Sequence, residues 1–378
     1  MPVHGFVQSR MNILFVDQFG DLGGAQLCML DLMPAIVEEG WRVIAAVPPG
    51  PFAERLRRSG AKVIDFDAGT YHSGSKTAAD AVRYIRKLPR LAAALNSLQS
   101  SHEADVIYVN GPRLMPPVAL ARPRTPVLFH SHSQPPAGLS RRLVGLAIRR
   151  SRATVVAVSR HIAGTWRRYV AADRLHIIPN GVPDLRLPAA NRDALRIGLI
   201  GRIAPQKGIS EFVRAARILT PQIANCRFVI CGEPRPDDAP YAAFVRRSAA
   251  ELPIEFLGHQ DDIAGVMAGI TVLVVASREE GFGRTVIEGF SAGVPVVAFP
   301  TGGVPESIED NQTGFLVPAP TAEALASKLA TVLERPQILA AVAQKAREKW
   351  QLHYDVHRYR RSVIDLLTHV AAAGKTRQ

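Results

Sequence analysis

A chain of 378 residues, 47% hydrophobic and 21% charged, is long enough for two cores rather than one. No apolar run reaches the ~18 residues of a membrane-spanning helix, and residues 1–10 lack the apolar centre of a secretion signal. The 29 glycines and 28 prolines are spread without a repeat, which excludes collagenous, solenoid and low-complexity classes. Cys28, Cys226 and Cys231, with no CxxC spacing, read as reduced, buried thiols of a cytoplasmic protein. The formal net charge of +13 is uneven: residues 1–190 hold 24 Lys+Arg against 13 Asp+Glu, and the remainder 22 against 20. An excess of this kind attracts phosphates, anionic lipid headgroups or nucleic acid, or only keeps a surface soluble.

Along the first half, short apolar runs alternate with helical patterns. Asn12–Asp17 (NILFVD) reads as a buried strand and residues 25–39 as a helix ended by Gly40. Arg42–Val47 and residues 62–66 are strands around a helix, and residues 78–98 form a long amphipathic helix. Residues 105–109, 127–129 and 154–158 are strands again. Around residues 180–193 (NGVPDLRLPAANRD) two prolines and polar residues interrupt the pattern, as an interdomain hinge would. The alternation then restarts, with strands at Leu195–Ile200 and residues 227–231, 254–257, 271–276 and 294–299. Residues 323–370 are helical in pattern, a new helix starting at Pro336. The expected fold is α/β, with two tandem Rossmann-like, doubly wound parallel-sheet domains facing a central cleft. Their expected extents are residues 1–185 and 186–355, with a C-terminal helix at 356–378 packing back on the first domain.

Three segments carry candidate chemistry, each at the carboxyl end of an expected strand. In residues 277–293 (SREEGFGRTVIEGFSAG), Gly281 and Gly283 let the backbone approach a ligand, and a helix N-terminus near Arg284 and Thr285 offers N–H groups to an anion. Glu280 lies before that helix and Glu288 about one turn into it; both can face one pocket and accept vicinal hydroxyls, or both can be solvated. In residues 201–208 (GRIAPQKG), Arg202 and Lys207 can bind a diphosphate or lie on the surface as plain cations. In residues 20–26 (GDLGGAQ), Gly23 and Gly24 permit close approach to a ligand. The segment is not GxGxxG, so a nicotinamide or flavin site has little support.

Taken in order, these motifs resemble the family 4 glycosyltransferases, retaining enzymes of the GT-B fold. GGAQ, VLFHSHS, AVS, IPNGV, GRIAPQKG, FLG, EEGFGRTVIE, GVPVVA, GGVPESI and TGFLV carry the likeness over almost the whole chain. The resemblance implies a nucleotide-diphosphate sugar as donor. It implies that Arg202 and Lys207 bind the diphosphate, Glu288 the ribose and Glu280 the sugar. The backbone of Gly281, Phe282 and Gly283 would contact sugar hydroxyls or phosphate, and Gly23 and Gly24 the phosphates. A histidine closing the fifth strand would lie near sugar and acceptor; His130 and His132 both qualify, and the spacing from Pro126 favours His132. Arg284 stands where an apolar or small residue is common, and its role is open.

The leaving diphosphate needs positive charge, which Arg202, Lys207 and helix N-terminal amides can supply without a metal. Asp237–Asp238 and Asp261–Asp262 lack the context of a metal-binding loop, so neither metal nor cofactor is expected. The acceptor would be a glycan, a lipid-linked or a small molecule, chosen by loops such as residues 68–77 and 110–117. Residues 139–152 (LSRRLVGLAIRRSR) can lie on an anionic membrane, giving a peripheral cytoplasmic location, or pack as a core helix with a solvated basic face. An epimerase, a phosphorylase or a non-catalytic sugar-nucleotide binder would share the fold. Nothing matches a nucleic-acid-binding motif.

Overall fold

The structure is a computed structural model and describes residues 10–69, 78–186 and 195–375. Residues 1–9, most of the acceptor loop at 68–77, the hinge residues 187–193 with residue 194, and the last three residues fall outside these. The chain divides into two compact units, Met1–Asn180 with His357–Gln378, and Gly181–Val356.

The first unit runs β1 (Asn12–Asp17), α1 (Gly24–Glu38), β2 (Arg42–Val47), α2 (Pro51–Arg58), β3 (Lys62–Asp65), α3 (Ala78–Ser101), β4 (Val106–Asn110), α4 (Met115–Ala121), β5 (Val127–Ser131), α5 (Leu139–Ser151), β6 (Thr154–Ala157), α6 (Arg160–Trp166) and β7 (Leu175–Ile177). All strands pair in parallel in the order β3-β2-β1-β4-β5-β6-β7. Helices cover both faces of such a sheet, so its central strands are buried throughout: every residue of β4 and β5 is buried, with polar Asn110, His130 and Ser131 at their carboxyl ends.

The second unit runs β8 (Leu195–Ile200), α7 (Ile209–Leu219), β9 (Cys226–Cys231), α8 (Ala239–Ser248), β10 (Ile254–Gly258), α9 (Ile263–Ala268), β11 (Val272–Val275), α10 (Arg284–Ala292), β12 (Val296–Ala298), α11 (Val304–Ser307), β13 (Phe315–Leu316), α12 (Ala322–Leu333) and α13 (Pro336–His353). Its parallel sheet has the order β10-β9-β8-β11-β12-β13. The core joins Phe212, Phe228, Phe299 and Phe315 to aliphatic residues of α7, α12 and the strands. In each sheet the order reverses beside the first strand, between β1 and β4 and between β8 and β11. A crevice opens there at the carboxyl ends of the strands.

Two edge strands escaped the sequence reading. β7 has three residues and β13 two, too few for any periodicity to register. The stretch read as helical over residues 323–370 is three helices, α12, α13 and α14 (Val356–Lys375). The first domain was expected to extend to residue 185, but Gly181–Leu185 belong with the second unit. Val182 N–H donates to the Tyr354 carbonyl at 2.9 Å, Trp350 Nε1 to the Val182 carbonyl at 3.1 Å and Leu185 N–H to Ser291 Oγ at 2.9 Å. These backbone groups thus have their partners on α10, on α13 and at the residue that follows α13.

From His357 onward α14 belongs to the first unit. Tyr359, Val363, Leu367 and Val370 join the core formed by α1, α2 and the central strands, and Tyr359 Oη donates to the Cys28 carbonyl at 3.2 Å. The stripe at spacings of three and four is what lets one helix face bury. Cys28, Cys226 and Cys231 are buried and in no disulfide, and burial pushes the Cys226 thiol up to about 11.

Leu367→Ala empties a fully buried position and is expected to destabilise the first unit by about 2–5 kcal/mol. Leu352→Ala, at an exposed position of α13, is expected to change stability by less than about 0.5 kcal/mol. Urea denaturation followed by fluorescence checks both.

Candidate functional site

At the crevice of the second sheet, two loops meet. Residues 201–208 follow β8, and residues 276–283 follow β11. Gly208 makes the approach possible. It has φ of +66°, caps α7, and a Cβ there would collide with the Ala276 carbonyl. Gly302, at φ +58°, similarly abuts the Glu280 carbonyl, and Gly303 N–H donates to that carbonyl at 3.0 Å. Thr301 Oγ1 donates to the Ser277 carbonyl at 2.6 Å, and Arg278 N–H to the Gln206 carbonyl at 2.9 Å. The loop after β11 is therefore held on both sides by backbone contacts.

These contacts set Lys207 Nζ 2.8 Å from Glu280 Oε2, with both side chains mostly buried. Arg284 and Glu288 form a second pair, Nε to Oε1 at 2.8 Å, one helical turn apart on α10. Arg284 also donates from Nη1 to the Gly181 carbonyl at 3.3 Å. Arg202 turns to Asp238, with Nε 3.8 Å from Oδ2. Two acids and two cations were expected around one ligand. Each cation here has an acid of its own, and Arg202 takes one from outside the predicted set. Asp238 is buried at the end of the loop after β9.

Gly283 caps α10 in a left-handed conformation (φ +91°) and brings no capping side chain. The first turn, which includes Arg284 and Thr285, thus starts without a capping side chain from residue 283, the arrangement an anion can fill. Phe282 is a packing residue: it is buried, edge-on to Tyr354 with ring centroids 5.9 Å apart. Gly281 lies beside it, partly exposed, between Glu280 and the helix start.

At the crevice of the first sheet, Gly23 caps α1 in extended conformation and Gly24 begins the helix. Behind them lies a cluster that the sequence reading missed. Asp17 closes β1 fully buried and accepts from Phe19 N–H (2.9 Å), Gln26 Nε2 (2.9 Å) and Asn110 Nδ2 (2.5 Å). Burial pushes its carboxyl up to about 7 against these hydrogen bonds, which pull it down. The signal was present, since an acid ends the otherwise apolar run NILFVD.

His130 and His132 occupy different environments. His130 is the fourth residue of β5, fully buried, with Nδ1 hydrogen-bonded to Tyr108 Oη. Burial, and then the neighbouring His132, hold it well below the usual histidine range, so it is neutral. His132 lies one residue past the strand end, partly exposed, its ring centroid 4.1 Å from that of His130.

Residues 22–185 match the family model described as Glycosyltransferase Family 4, and residues 188–349 that described as Glycosyl transferases group 1. The chain belongs to the family 4 glycosyltransferases. Similar curated relatives of this glycosyltransferase-family chain include a D-inositol 3-phosphate glycosyltransferase of Saccharomonospora viridis. It is 30% identical over 191 residues, 48% of this chain and 44% of the relative. The lipopolysaccharide core biosynthesis mannosyltransferase LpcC of Rhizobium leguminosarum bv. viciae is 34% identical over 154 residues, 40% of this chain and 44% of the relative. The chain thus spans less than half the length of these relatives. Among solved structures, HepE of Anabaena in complex with UDP-glucose superposes with a TM-score of 0.80 at 24% identity, covering 95% of this chain and 100% of HepE. Sucrose-phosphate synthase of Thermosynechococcus elongatus superposes with a TM-score of 0.79 at 21% identity, covering 96% and 100%. At these identities the superpositions establish the fold, GT-B with two parallel-sheet α/β domains.

Asp17 also has a pH signature. The unfolded chain releases its proton above about pH 4, while the native protein keeps it until about pH 7, so native stability falls with rising pH across that interval. Asp17→Asn removes this loss. The stability difference, wild type minus variant, is expected to decline between pH 4 and 7 and then level off, as measured by urea denaturation at each pH.

Proposed function

We propose that this chain transfers a hexose-type sugar from a nucleotide-diphosphate sugar to a glycan, lipid-linked or small-molecule acceptor, with retention of anomeric configuration and without a metal ion. The observation that carries the reading is the Lys207–Glu280 contact of 2.8 Å at the strand-order reversal of the second sheet, beside the uncapped start of α10. A cation, an acid and helix N-terminal amides within one crevice suit a sugar joined to a diphosphate: the cation and amides take the phosphate, the acid the hydroxyls. Support also comes from two relatives named as glycosyltransferases and from HepE, solved with UDP-glucose.

In this reading the unit at residues 181–356 holds the donor and that at 1–180 the acceptor, with residues 357–378 completing the latter. Lys207 and Arg202 neutralise charge as the bond from the anomeric carbon to the phosphate oxygen breaks. Glu288, oriented by Arg284, accepts from the ribose hydroxyls, and Glu280 orients the sugar. The acceptor oxygen attacks the anomeric carbon from the face the phosphate leaves, and the departing phosphate oxygen takes its proton. No enzyme nucleophile is needed. His132, Gly23 and Gly24 bound the acceptor and phosphate side, with neutral His130 beneath His132. The location that suits this chemistry is cytoplasmic, with peripheral contact to the inner face of a membrane.

Lys207→Ala and Arg202→Ala are each expected to lower kcat/KM by roughly a hundredfold or more, because the lost contact is strongest in the transition state. Release of nucleoside diphosphate measures this, and wild-type turnover in either variant contradicts the assignment. Turnover is expected to survive EDTA; a loss reversed only by added Mg²⁺ contradicts the metal-free mechanism.

A further inference from the structure

Residues 106–172 contain eleven arginines and not one lysine, aspartate or glutamate. Exposed protein surface ordinarily mixes both signs, so a stretch this long without an acid carries an uncompensated positive charge that attracts anions. Arginine rather than lysine favours phosphate, which its planar fork can bind with two hydrogen bonds.

Within this stretch, α5 has two apolar faces where a packed surface helix needs one. Val144, Gly145, Ala147 and Ile148 are buried against the domain. On the opposite side Leu139, Leu143 and Leu146 are 72%, 47% and 56% exposed. Spacings of four and three residues put these leucines on one stripe, and Arg150 continues it. Arg142 and Arg149, both exposed, lie one helical step to one side. The helix carries no acid at all. The expectation of a helix packed in the core with a solvated basic face accounts for the buried side but leaves the leucine stripe without a partner.

We propose that α5 is a membrane-docking surface, its leucine stripe entering the interfacial zone of an anionic bilayer while the flanking arginines contact lipid phosphates. The combination of apolar stripe and basic rim matches the zone between acyl chains and headgroups. A second copy of the chain would oppose arginines to arginines. A nucleic acid would use the arginines but leave the leucines in water. Among the described residues no helix is long and apolar enough to cross a membrane, so the contact is peripheral. Crossover helices run antiparallel to the strands they follow, so the stripe begins near the carboxyl end of β5, seven residues after His132. This geometry favours a lipid-linked acceptor; for that point alone the proposal rests on the transferase reading, and the surface stands without it.

The test is co-sedimentation of the full chain with vesicles of phosphatidylcholine alone or with a third of phosphatidylglycerol. Binding is expected at least tenfold tighter to the anionic vesicles, and weaker as salt rises from about 0.1 M to about 1 M, which shortens the screening length from about 10 Å to about 3 Å. Leu143→Ser with Leu146→Ser, and separately Arg149→Ser with Arg150→Ser, are each expected to reduce that binding about tenfold or more. These side chains already lie in water, so both variants should keep the wild-type melting curve. Absence of binding to anionic vesicles, or binding indifferent to the leucine pair, overturns the proposal. So does tighter binding to duplex DNA than to vesicles. Nucleoside diphosphate release from donor is measured on the same preparations. If vesicles are not bound while donor still turns over, the surface falls and the transferase reading stands; the reverse pattern fails only the transferase.

Discussion

A lysine and a glutamate in hydrogen-bonded contact, largely withdrawn from water, sit where the strand order of the second sheet reverses. Neither can be there without the backbone that carries it. Gly208 has to be glycine for the loop after β8 to touch the end of β11, and Gly302 has to be glycine for the following turn to close on Glu280. Removing either partner alone leaves a partly desolvated charge, which favours keeping both in place until a competing charge arrives. A diphosphate is such a competitor for lysine, and sugar hydroxyls are suitable donors to the carboxylate thus released. The proposed mechanism is this exchange of partners, with Arg202 leaving Asp238 and the Arg284–Glu288 pair offering its acid to ribose.

The first sheet answers the same topological constraint with different chemistry. Its reversal point holds Asp17, Gln26 and Asn110, a buried polar cluster joining the ends of β1 and β4 to α1. A carboxyl pushed up to about 7 there contributes less as a charge than as a hub of hydrogen bonds fixing the turn that carries Gly23 and Gly24. His130 behaves likewise, kept neutral by burial and bonded to Tyr108, with His132 stacked above it in a more open position.

Most of the fold was legible because parallel strands buried on both faces leave apolar runs with helical spacers between them. β1, β2 and β8 match their sequence boundaries for that reason. The edge strands β7 and β13 were not legible, being too short and only half covered. Nor was the attachment of Gly181–Leu185, which depends on Trp350 and Ser291 more than a hundred residues away. In the candidate site, the loops were legible from glycines placed after strands, and the neighbourhood of Lys207 and Glu280 follows from β8 lying beside β11. The ion pairs were not, because which acid meets which cation is decided by side-chain direction. The exception was within reach: Arg284 and Glu288 are four residues apart on a helix, a spacing that predicts contact.

The most direct test is a crystal structure of the chain with the donor chosen by screening UDP-, GDP- and ADP-sugars for turnover. The account requires Lys207 Nζ to have left Glu280 for a phosphate oxygen, the diphosphate to lie at the first turn of α10, and Glu288 to meet the ribose. A donor bound away from residues 201–208 and 277–288, or bound there with Lys207 still on Glu280, would contradict it.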